Sequence, residues 1–551
     1  TYKMWAIEND YLRAIVAPEL GGHLWSLRDK RIPTPQGKHL PAAVRKAQAS
    51  GPGAEILFSN SAVKPYVVEP RNTYISSGIE FNFPVAHSHT SSDPVASRAY
   101  LENGRAVVEV GETERRLGTQ WVIRLSLGEK DTFLTQQSFL HNPTRRPAKW
   151  HLWSNAAVDG FPDTEFIYPP GKIIVHGSKD EFAQWPMDWK AIGDREGMLG
   201  LFWLDHTEIY FGAFHPQYGH GLMHLADPKI VTGTKMWTWG GEGTKHWAEL
   251  LCDDGRGMAE VQSGAFKTQE EYGLFQPGEG AEFIEFWTSA RSRDDYTKAE
   301  LPRPKIDLPP PKWFGNEHIP EVQRWLKVEA AMRKNAPSEL PTYNPADKDW
   351  PPTGLELEAA LRWAAKHNDT YRTALGTWLA AREQFDAANR VLKNSQDDQG
   401  KRLEGLMIWK AEKNAAKAVE IYNCTDFSDR SYLFEYDALL AHLGRHADRE
   451  PILRKLGAYA DKKWYPEDLI EHWAHQLVGL GQFQAAIDLL INRDKWQRWH
   501  ERFVRTDIWR RARAGLGLPQ DPVPEMLGED SVPPVTQSPT PVGTLDGLLR
   551  Q

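Results

Sequence analysis

Glu260 is the residue whose surroundings in the sequence most strongly indicate chemistry. It stands with Gln262 in a strand of otherwise small and apolar residues, Gly257-Met258-Ala259-Glu260-Val261-Gln262-Ser263-Gly264. Burying a carboxylate is costly unless the group is hydrogen-bonded or has a task. We therefore predict that Glu260 is catalytic.

A second cluster joins an acid to two histidines. Glu80, His87 and His89 lie in an aromatic stretch bounded by glycine and proline, from Ser77 to Thr90. His87 and His89 would place two imidazoles on one strand face, but the spacing names no third metal ligand. We predict no metal and no cofactor, and we expect Glu80 and His87 to be catalytic.

Two more clusters have an ordinary structural alternative. Glu112 and Arg115 could simply form a weak ion pair on a solvated turn. His151, flanked by Trp150 and Trp153, could be a hydrogen-bonded histidine on an inner face. Since geometry decides such roles, His151 remains a catalytic candidate and Glu112 and Arg115 remain candidates for substrate binding.

Aromatic side chains beside these polar groups favour a carbohydrate ligand. The chain has 23 tryptophans among 551 residues, and an aromatic ring offers an apolar face to a sugar while nearby polar groups fix its hydroxyls. Chemistry at an anomeric carbon needs one group to give a proton and another to take one. The predicted substrate-binding residues are His23, Trp25, His89, Glu112, Arg115, Trp121, Trp153, Asn155, Trp237, Trp239 and Gln262.

Other function classes are disfavoured by the sequence. It contains no P-loop, no G-x-G-x-x-G fingerprint and no serine nucleophile elbow. A net charge of −8 without a basic stripe argues against nucleic acid, and no run of about 18 apolar residues is present to span a membrane. Two distant cysteines exclude a disulfide framework and leave the compartment open: a soluble protein, cytoplasmic, or periplasmic if a leader has been removed.

The elements that position these residues fall into a β and an α part. Over residues 1–300, short strands recur at intervals of roughly 10 residues with almost no helical periodicity, which predicts a large antiparallel sandwich. Residues 301–352 are rich in proline and predict a stiff connector with one short helix, Pro320 to Arg333. Residues 519–551 are rich in Pro, Ser and Thr and predict a disordered tail.

Residues 353–518 show helical periodicity and four similar segments. Taking Phe385, Asn414, His446 and Phe483 as equivalent, the segments lie 29, 32 and 37 residues apart. These intervals bracket the tetratricopeptide period of about 34 residues and predict an α-solenoid. The alternative is an irregular helical bundle. A solenoid would offer a surface for a protein partner or for a second copy of the chain.

The β part resembles the galactose mutarotase (aldose 1-epimerase) superfamily, whose fold is an antiparallel β-supersandwich. The segment Ala259-Glu260-Val261-Gln262 is similar to the late Leu-Glu-Thr/Ser-Gln strand of that family. The resemblance implies that Glu260 is the base that takes the proton of the anomeric hydroxyl. His151 lies in a segment similar to that of the family's acid, although Leu152-Trp153-Ser154 follows it instead of Thr-Tyr-Phe.

A closer resemblance covers most of residues 5–515. Segments such as Gly78-Ile79-Glu80-Phe81-Asn82-Phe83-Pro84 and Lys235-Met236-Trp237-Thr238-Trp239-Gly240 resemble a bacterial group of mutarotase-like domains fused to tetratricopeptide repeats. This resemblance implies a two-domain protein with a β-supersandwich before an α-solenoid.

Three functions remain open from the sequence. The first is hydrolysis of a glycosidic bond, with Glu260 as base or nucleophile and with Glu80, His87 or His151 as proton donor. The second is epimerisation of a free sugar at its anomeric carbon. The third is binding of a carbohydrate without catalysis, with the helical repeats recruiting a partner. Convergence of Glu80 and Glu260 in one site would favour the first.

Overall fold

The protein is described here by a computed structural model, in which the chain divides into two compact units, Thr1–Ile319 and Pro320–Gln551. The residues that the structure describes are 1–69, 72–84, 87, 91–176, 182–194, 197–269, 271–317, 319–347, 349–423, 430–457, 466–492 and 503–527.

The first unit is built almost entirely of strands. In chain order they are β1 Trp5–Glu8, β2 Leu12–Ala17, β3 His23–Asp29, β4 Ala54–Glu55, β5 Tyr66–Glu69, β6 Asn72–Tyr74, β7 Ile79–Asn82, β8 Ala96–Glu102, β9 Arg105–Thr113, β10 Gln120–Gly128, β11 Leu134–His141, β12 Ala148–Trp150, β13 Trp153–Asp159, β14 Glu165–Ile167, β15 Gly171–Val175, β16 Phe182–Trp185, β17 Leu199–Trp203, β18 Tyr210–His215, β19 His220–Ala226, β20 Gly233–Thr238, β21 Met258–Gly264, β22 Gly273–Phe275 and β23 Gly280–Ala290. Short helices accompany them, namely α1 Ala42–Gln48, α2 Gly241–Leu251 and α3 Asp294–Thr297.

Two large antiparallel sheets form the sandwich. The first has the strand order β1-β2-β3-β7-β13-β21-β20-β17-β15-β16, with β4 paired to β3, and the second has the order β14-β18-β19-β23-β11-β10-β9-β8. Alternate residues of each strand point to opposite faces, and one face of each sheet contributes to a common core. Ile79 and Val261 enter that core from the first sheet, and Ile123 and Trp287 from the second. The predicted antiparallel sandwich is confirmed.

A polar network crosses this core and ties the sheets together. The buried Glu285 of β23 accepts hydrogen bonds from Gln136 of β11, at 2.8 Å, and from Ser263 of β21, and it contacts His224 of β19 at 3.0 Å. Ser154 of β13 accepts a hydrogen bond from the same Gln136 at 2.9 Å. Because β13 and β21 belong to the first sheet, the network fixes their position against the second.

A proline-rich segment lies across the outer face of the second sheet. Arg124 donates to the carbonyl oxygen of Pro309 at 2.7 Å, and Thr113 donates to that of Phe314 at 2.8 Å. The Phe314 ring packs on Val122 and Phe139. We call residues 303–316 the strap. It belongs to the first unit, although the sequence predicted a connector over residues 301–352.

The second unit is helical. Its helices are α4 Pro320–Lys334, α5 Glu358–His367, α6 Thr370–Ala381, α7 Phe385–Leu392, α8 Asp398–Met407, α9 Ala415–Asn423, α10 Arg430–His442, α11 Glu450–Gly457, α12 Pro466–Gly479, α13 Phe483–Ile491 and α14 Arg505–Gly515. α4 occupies the position of the predicted short helix.

Each of the four predicted repeat positions lies at the start of a helix or of a turn that leads into one. Phe385 and Phe483 are the first residues of α7 and α13, and Asn414 caps α9 by accepting a hydrogen bond from the backbone of Lys417 at 3.0 Å. His446 begins a short 3-10 turn that leads into α11. The predicted helical fold class is therefore confirmed.

Most of the predicted tail, residues 528–551, lies outside the described residues. Across the part of the chain that is described, no helix has both the length and the apolar character needed to cross a membrane.

Candidate active site

One face of the first sheet carries a row of polar side chains. Strand pairing places Glu80 of β7 opposite Asn155 of β13, Asn155 opposite Gln262 of β21, and Gln262 opposite Lys235 of β20. All four are buried. The residues next to them on the same strands, such as Ile79 and Val261, fill the sandwich core. Because neighbouring residues of a strand point to opposite faces, the polar row lies on the sheet face turned away from that core.

A second row beside it holds Glu260. Pairing places Ala157 of β13 opposite Glu260, and Glu260 opposite Trp237 of β20. Trp237 is paired in turn with Gly200, where an added Cβ would lie 2.5 Å from the indole ring. Glycine at that position lets the ring lie flat on the sheet beside the Glu260 carboxylate.

Glu80 is held by three neighbours through one carboxylate oxygen. Its Oε2 accepts hydrogen bonds from the amides of Asn82 at 3.0 Å and Asn155 at 3.2 Å, and lies 3.3 Å from Nδ1 of His87. Its Oε1 has no hydrogen-bond partner among the described residues. This buried oxygen therefore lacks the hydrogen bond that a ligand or a water molecule would supply.

His87 has an unusual backbone conformation. Its φ of 49° lies in the left-handed region, which costs a residue with a side chain about 1–3 kcal/mol and tends to persist at functional sites. The backbone N–H of His87 donates to the Asn82 side chain, which holds this conformation. The imidazole is 27% exposed while Glu80 is 2% exposed, so His87 lies on the solvent side of the pair.

Glu260 is bonded differently. Its Oε2 accepts a hydrogen bond from Gln262, whose own oxygen accepts one from Gln269 at 3.2 Å. Gln269 in turn accepts a hydrogen bond from the Lys235 ammonium group at 2.8 Å. This chain of amides links Glu260 to a buried cation.

The two carboxyl groups have pKa values shifted in opposite directions. Burial raises the pKa of Glu80, but the attraction of His87 outweighs it, so that pKa lies below its ordinary value. Burial also raises the pKa of Glu260, and there Lys235 and His87 offset only part of the rise, so that pKa lies above its ordinary value. At a pH between the two pKa values, Glu80 is the carboxylate and Glu260 is the better proton donor.

The same interaction favours the protonated form of His87. Burial lowers its pKa, and the neighbouring Glu80 carboxylate more than offsets this, so the pKa of His87 is raised. Glu80 and Glu260 both act electrostatically on His87. The imidazole therefore lies within electrostatic range of both acids, and three of the four predicted catalytic groups converge.

Aromatic rings form one wall of the site. Trp237 and Trp239 lie edge to face with their centroids 6.4 Å apart, and Trp247 of α2 lies 5.8 Å from Trp239. Tyr74 of β6 packs in the same cluster, and its hydroxyl lowers the pKa of Glu260. The wall places apolar rings next to a set of hydrogen-bonding groups.

A comparison with known families places the β unit. A model described as a domain of unknown function (DUF5107) matches residues 1–287, more than half of the chain. The chain belongs to the DUF5107 family. A second model, described as a C-terminal domain, matches residues 325–512, which correspond to the helical unit.

A solved structure shares the whole architecture of this DUF5107 protein. It is a TPR-domain containing protein from Parabacteroides distasonis ATCC 8503, 30% identical, and the match covers 98% of this chain and 91% of that chain with a TM-score of 0.80. The arrangement of a β unit followed by helical repeats is thus shared with a protein of known structure.

Two further solved structures match the β half alone. One is a galactose mutarotase related enzyme from Lactobacillus acidophilus, at 10% identity over 53% of this chain and 99% of that chain, with a TM-score of 0.36. The other is a galactose mutarotase-like protein from Lactobacillus casei ATCC 334, at 10% identity over 52% and 100%, with a TM-score of 0.33.

His151 lies near the site but is held neutral. It is 1% exposed, its ring stacks on Trp153 at 5.9 Å, and burial lowers its pKa to about 3. Nε2 has no partner among the described residues. Because a neutral imidazole is a weak acid, His151 suits hydrogen bonding better than proton donation, and His87 is the stronger candidate for the acid.

Two other predicted residues, Trp121 and Trp25, have packing partners of their own, whereas His23 acts electrostatically on Glu80. Trp121 is 1% exposed and packs in the sandwich core, while Trp25 packs against Leu20 and Ile75. His23 is fully buried, with its two ring nitrogens 3.2 and 2.9 Å from the carbonyl oxygens of Ser77 and Ser91, so neither nitrogen is left for a substrate.

Glu112 and Arg115 do not form the surface pair considered from the sequence. Arg115 pairs with Asp93 at 3.0 Å. Glu112 is completely buried, and burial raises its pKa to about 8.

Of the remaining predicted residues, Trp153, Asn155, Trp237, Trp239 and Gln262 lie on the site face, and His89 is outside the described residues.

Five residues of the site were not among the predicted site residues: Tyr74, Asn82, Lys235, Trp247 and Gln269. On β20, Lys235 and Trp237 alternate with the core residue Met236, so both lie on the opposite face of the sheet. Lys235 could have been predicted from this alternation, because it is a charged residue beside an apolar core position. Tyr74 and Gln269 carried no such signal. Among the described residues, no group of three or more His, Cys, Asp and Glu side chains is arranged to hold a metal.

Proposed function

We propose that the β unit is a carbohydrate-active enzyme that hydrolyses a glycosidic bond by acid–base catalysis. The observation that carries this proposal is the convergence of Glu80 and Glu260 on one sheet face with oppositely shifted pKa values. Two carboxyl groups, one protonated and one ionised, are what most glycosidases use around the scissile bond.

The pKa directions assign the two roles. Glu260 gives its proton to the glycosidic oxygen as the bond between that oxygen and the anomeric carbon breaks. Glu80 uses its free Oε1 at the anomeric carbon, either directly or by taking a proton from the attacking water. His87 keeps Glu80 ionised, and its partial exposure places it towards the entering sugar. Trp237 and Trp239 line this end of the site as buried apolar rings, and the Lys235 ammonium group lies 5.0 Å from the centre of the Trp237 ring.

A second candidate function is the anomeric epimerisation of a free sugar. It is favoured by the His87 imidazolium, which lies within electrostatic range of Glu260, and by the Glu260-Val261-Gln262 resemblance. Here Glu260 takes the proton of the anomeric hydroxyl, His87 gives a proton to the ring oxygen, and the ring bond opens. Reclosure with the opposite face of the carbonyl inverts the anomer.

The pH dependence of turnover separates the two reactions. Hydrolysis needs ionised Glu80 and protonated Glu260, so its acid limb lies below the ordinary glutamic acid pKa of 4.5, since the pKa of Glu80 is lowered. Epimerisation needs ionised Glu260 and protonated His87, so its acid limb lies above 4.5 and its alkaline limb above the ordinary histidine pKa of 6.5. Reducing-end assays and polarimetry, each from pH 3 to 9, read the two profiles.

Glu80→Gln gives a further test of the assignment. For a hydrolase, we expect a loss of turnover of about 100-fold or more at every pH, because the ionised group is gone. For an epimerase, Glu80 only positions and charges His87, so we expect partial activity with the alkaline limb moved to lower pH. Glu102→Gln, an exposed change on β8, is the matched control and should leave turnover unchanged. Wild-type activity in Glu80→Gln at all pH values would contradict both reactions.

A further inference from the structure

A groove runs between the strap and the outer face of the second sheet. Its volume is about 630 Å³, within the range of small-molecule sites. One side is formed by outward-facing residues of β10, β11 and β23, and the other by strap residues between Ile306 and Trp313. Since Glu80 and Glu260 lie on the outer face of the other sheet, the whole sandwich separates this groove from the candidate active site.

Trp313 gives the groove an aromatic platform. One face of its indole lies against the His141 ring, with the centroids 5.4 Å apart and the planes 36° apart. The side chain is nevertheless 37% exposed. A large apolar ring held against a neighbour while its other side faces solvent is suited to stacking on a ligand ring.

Gln137 adds an unpartnered polar group to the same groove. It lies on β11 and is 8% exposed, and its Oε1 has no hydrogen-bond partner among the described residues. Leaving a buried amide oxygen without a donor costs about 1–3 kcal/mol. A ligand that carries hydroxyl donors would satisfy it.

The charges lining the groove indicate a neutral ligand. Arg124 is bound to the carboxylate of Glu109 at 2.7 Å and to the carbonyl oxygen of Pro309. Glu282 is exposed and adds a negative charge. An anionic ligand would therefore meet a carboxylate and an already neutralised guanidinium, whereas a neutral polyol would meet acceptors for its hydroxyls.

From the platform, the unsatisfied amide and the charge balance, we propose that this groove is a second glycan-binding site. A pyranose ring stacks on Trp313, and one of its hydroxyls donates to Oε1 of Gln137. The inference rests on the proposed function only in that the ligand is a glycan. The groove would hold one part of a polysaccharide while another part of the same polysaccharide enters the active site.

The test uses the full chain and affinity gel electrophoresis with soluble xylan, barley β-glucan, galactomannan, laminarin and pullulan. Wild type, Trp313→Ala, Gln137→Leu and Trp5→Ala are compared. Trp5 is the matched control because it is another exposed tryptophan of the β unit, at 41%. We expect at least one polysaccharide to retard the wild type, and Trp313→Ala to weaken that binding about tenfold. Trp5→Ala should bind as the wild type does.

Activity is measured separately on aryl glycosides too short to reach the groove. Trp313→Ala should leave their turnover within about twofold of the wild type, so failure of the groove and failure of the catalytic proposal are distinguishable. The groove proposal is overturned if Trp313→Ala binds every polysaccharide as the wild type does, if Trp5→Ala is equally impaired, or if none of the polysaccharides retards the protein. If a proline-rich peptide binds the protein, Trp313→Ala weakens that binding, and no glycan binds, the groove is a peptide site and the proposal is overturned as well.

Discussion

Replacement of Glu260 by glutamine is expected to lower turnover by about 10³-fold while leaving the fold intact. The substitution keeps the shape of the side chain but removes the proton that it gives or takes in either proposed reaction. Its oxygen can still accept the hydrogen bond from Gln262. Because burial makes the charged form of Glu260 costly, we expect no loss of thermal stability.

The measurement is turnover over an oligosaccharide panel, by reducing-end release and by polarimetry. Glu102→Gln serves again as the control, since it makes the same chemical change at an exposed position. Full activity of Glu260→Gln on a substrate that the wild type turns over would remove Glu260 from the mechanism. If the wild type gives no product on any sugar but binds one, and Trp237→Ala weakens that binding, the β unit is a binding module.

Replacement of Asp437 by asparagine is expected to lower the free energy of unfolding of the helical unit by about 3–5 kcal/mol. Asp437 of α10 accepts two hydrogen bonds from the guanidinium group of Arg449, at 2.8 and 2.7 Å, and also contacts His472 of α12. Asp437 and Arg449 are completely buried. Without the carboxylate, the charge of Arg449 is left in the interior with no counter-charge from Asp437.

Urea denaturation followed by far-ultraviolet circular dichroism measures this loss. Asp448→Asn is the matched control, because Asp448 pairs with Arg445 at 2.6 Å but both side chains are about half exposed. A surface pair of this kind contributes less than about 1 kcal/mol. Equal effects of the two substitutions would show that the buried pair adds nothing beyond a surface pair.

The same pair has a defined pH dependence. Burial raises the pKa of Asp437, but Arg449 and His472 outweigh it and hold the pKa at about 2, below the ordinary value of 3.8. The stability from this carboxylate is therefore complete above pH 3.8 and is lost as the pH falls through 2. Unfolding curves at pH 5 and pH 2.5 should differ less for Asp437→Asn than for the wild type.

The fold was predictable because its local signals agree with its tertiary structure. Alternation of polar and apolar residues, as in Glu80-Phe81-Asn82, matched strands with one core face and one site face. The repeat positions Phe385 and Phe483 were recognisable because each begins a helix. The strap was not predictable, since its prolines indicate extended chain equally well in a free connector and in a docked segment.

The site was predictable only in part, for a physical reason. Glu80, His87 and Glu260 were found because each is polar in an apolar stretch. Which of them meet depends on strand pairing between β7, β13 and β21, and these strands are far apart in the sequence. The tertiary structure also decides roles that residue type leaves open. Burial makes His151 neutral, which disfavours it as the proton donor, and Trp121 packs in the core, where it cannot contact a sugar.

The strap also decides where the β unit can be cut for expression. A fragment that ends at residue 300 would lack Phe314 and expose Val122 and Phe139 to water. It would also leave Glu109 without the backbone hydrogen bond from Lys312. An uncovered apolar patch on a sheet promotes aggregation, so the shortest soluble fragment of the β unit should extend to Ile319.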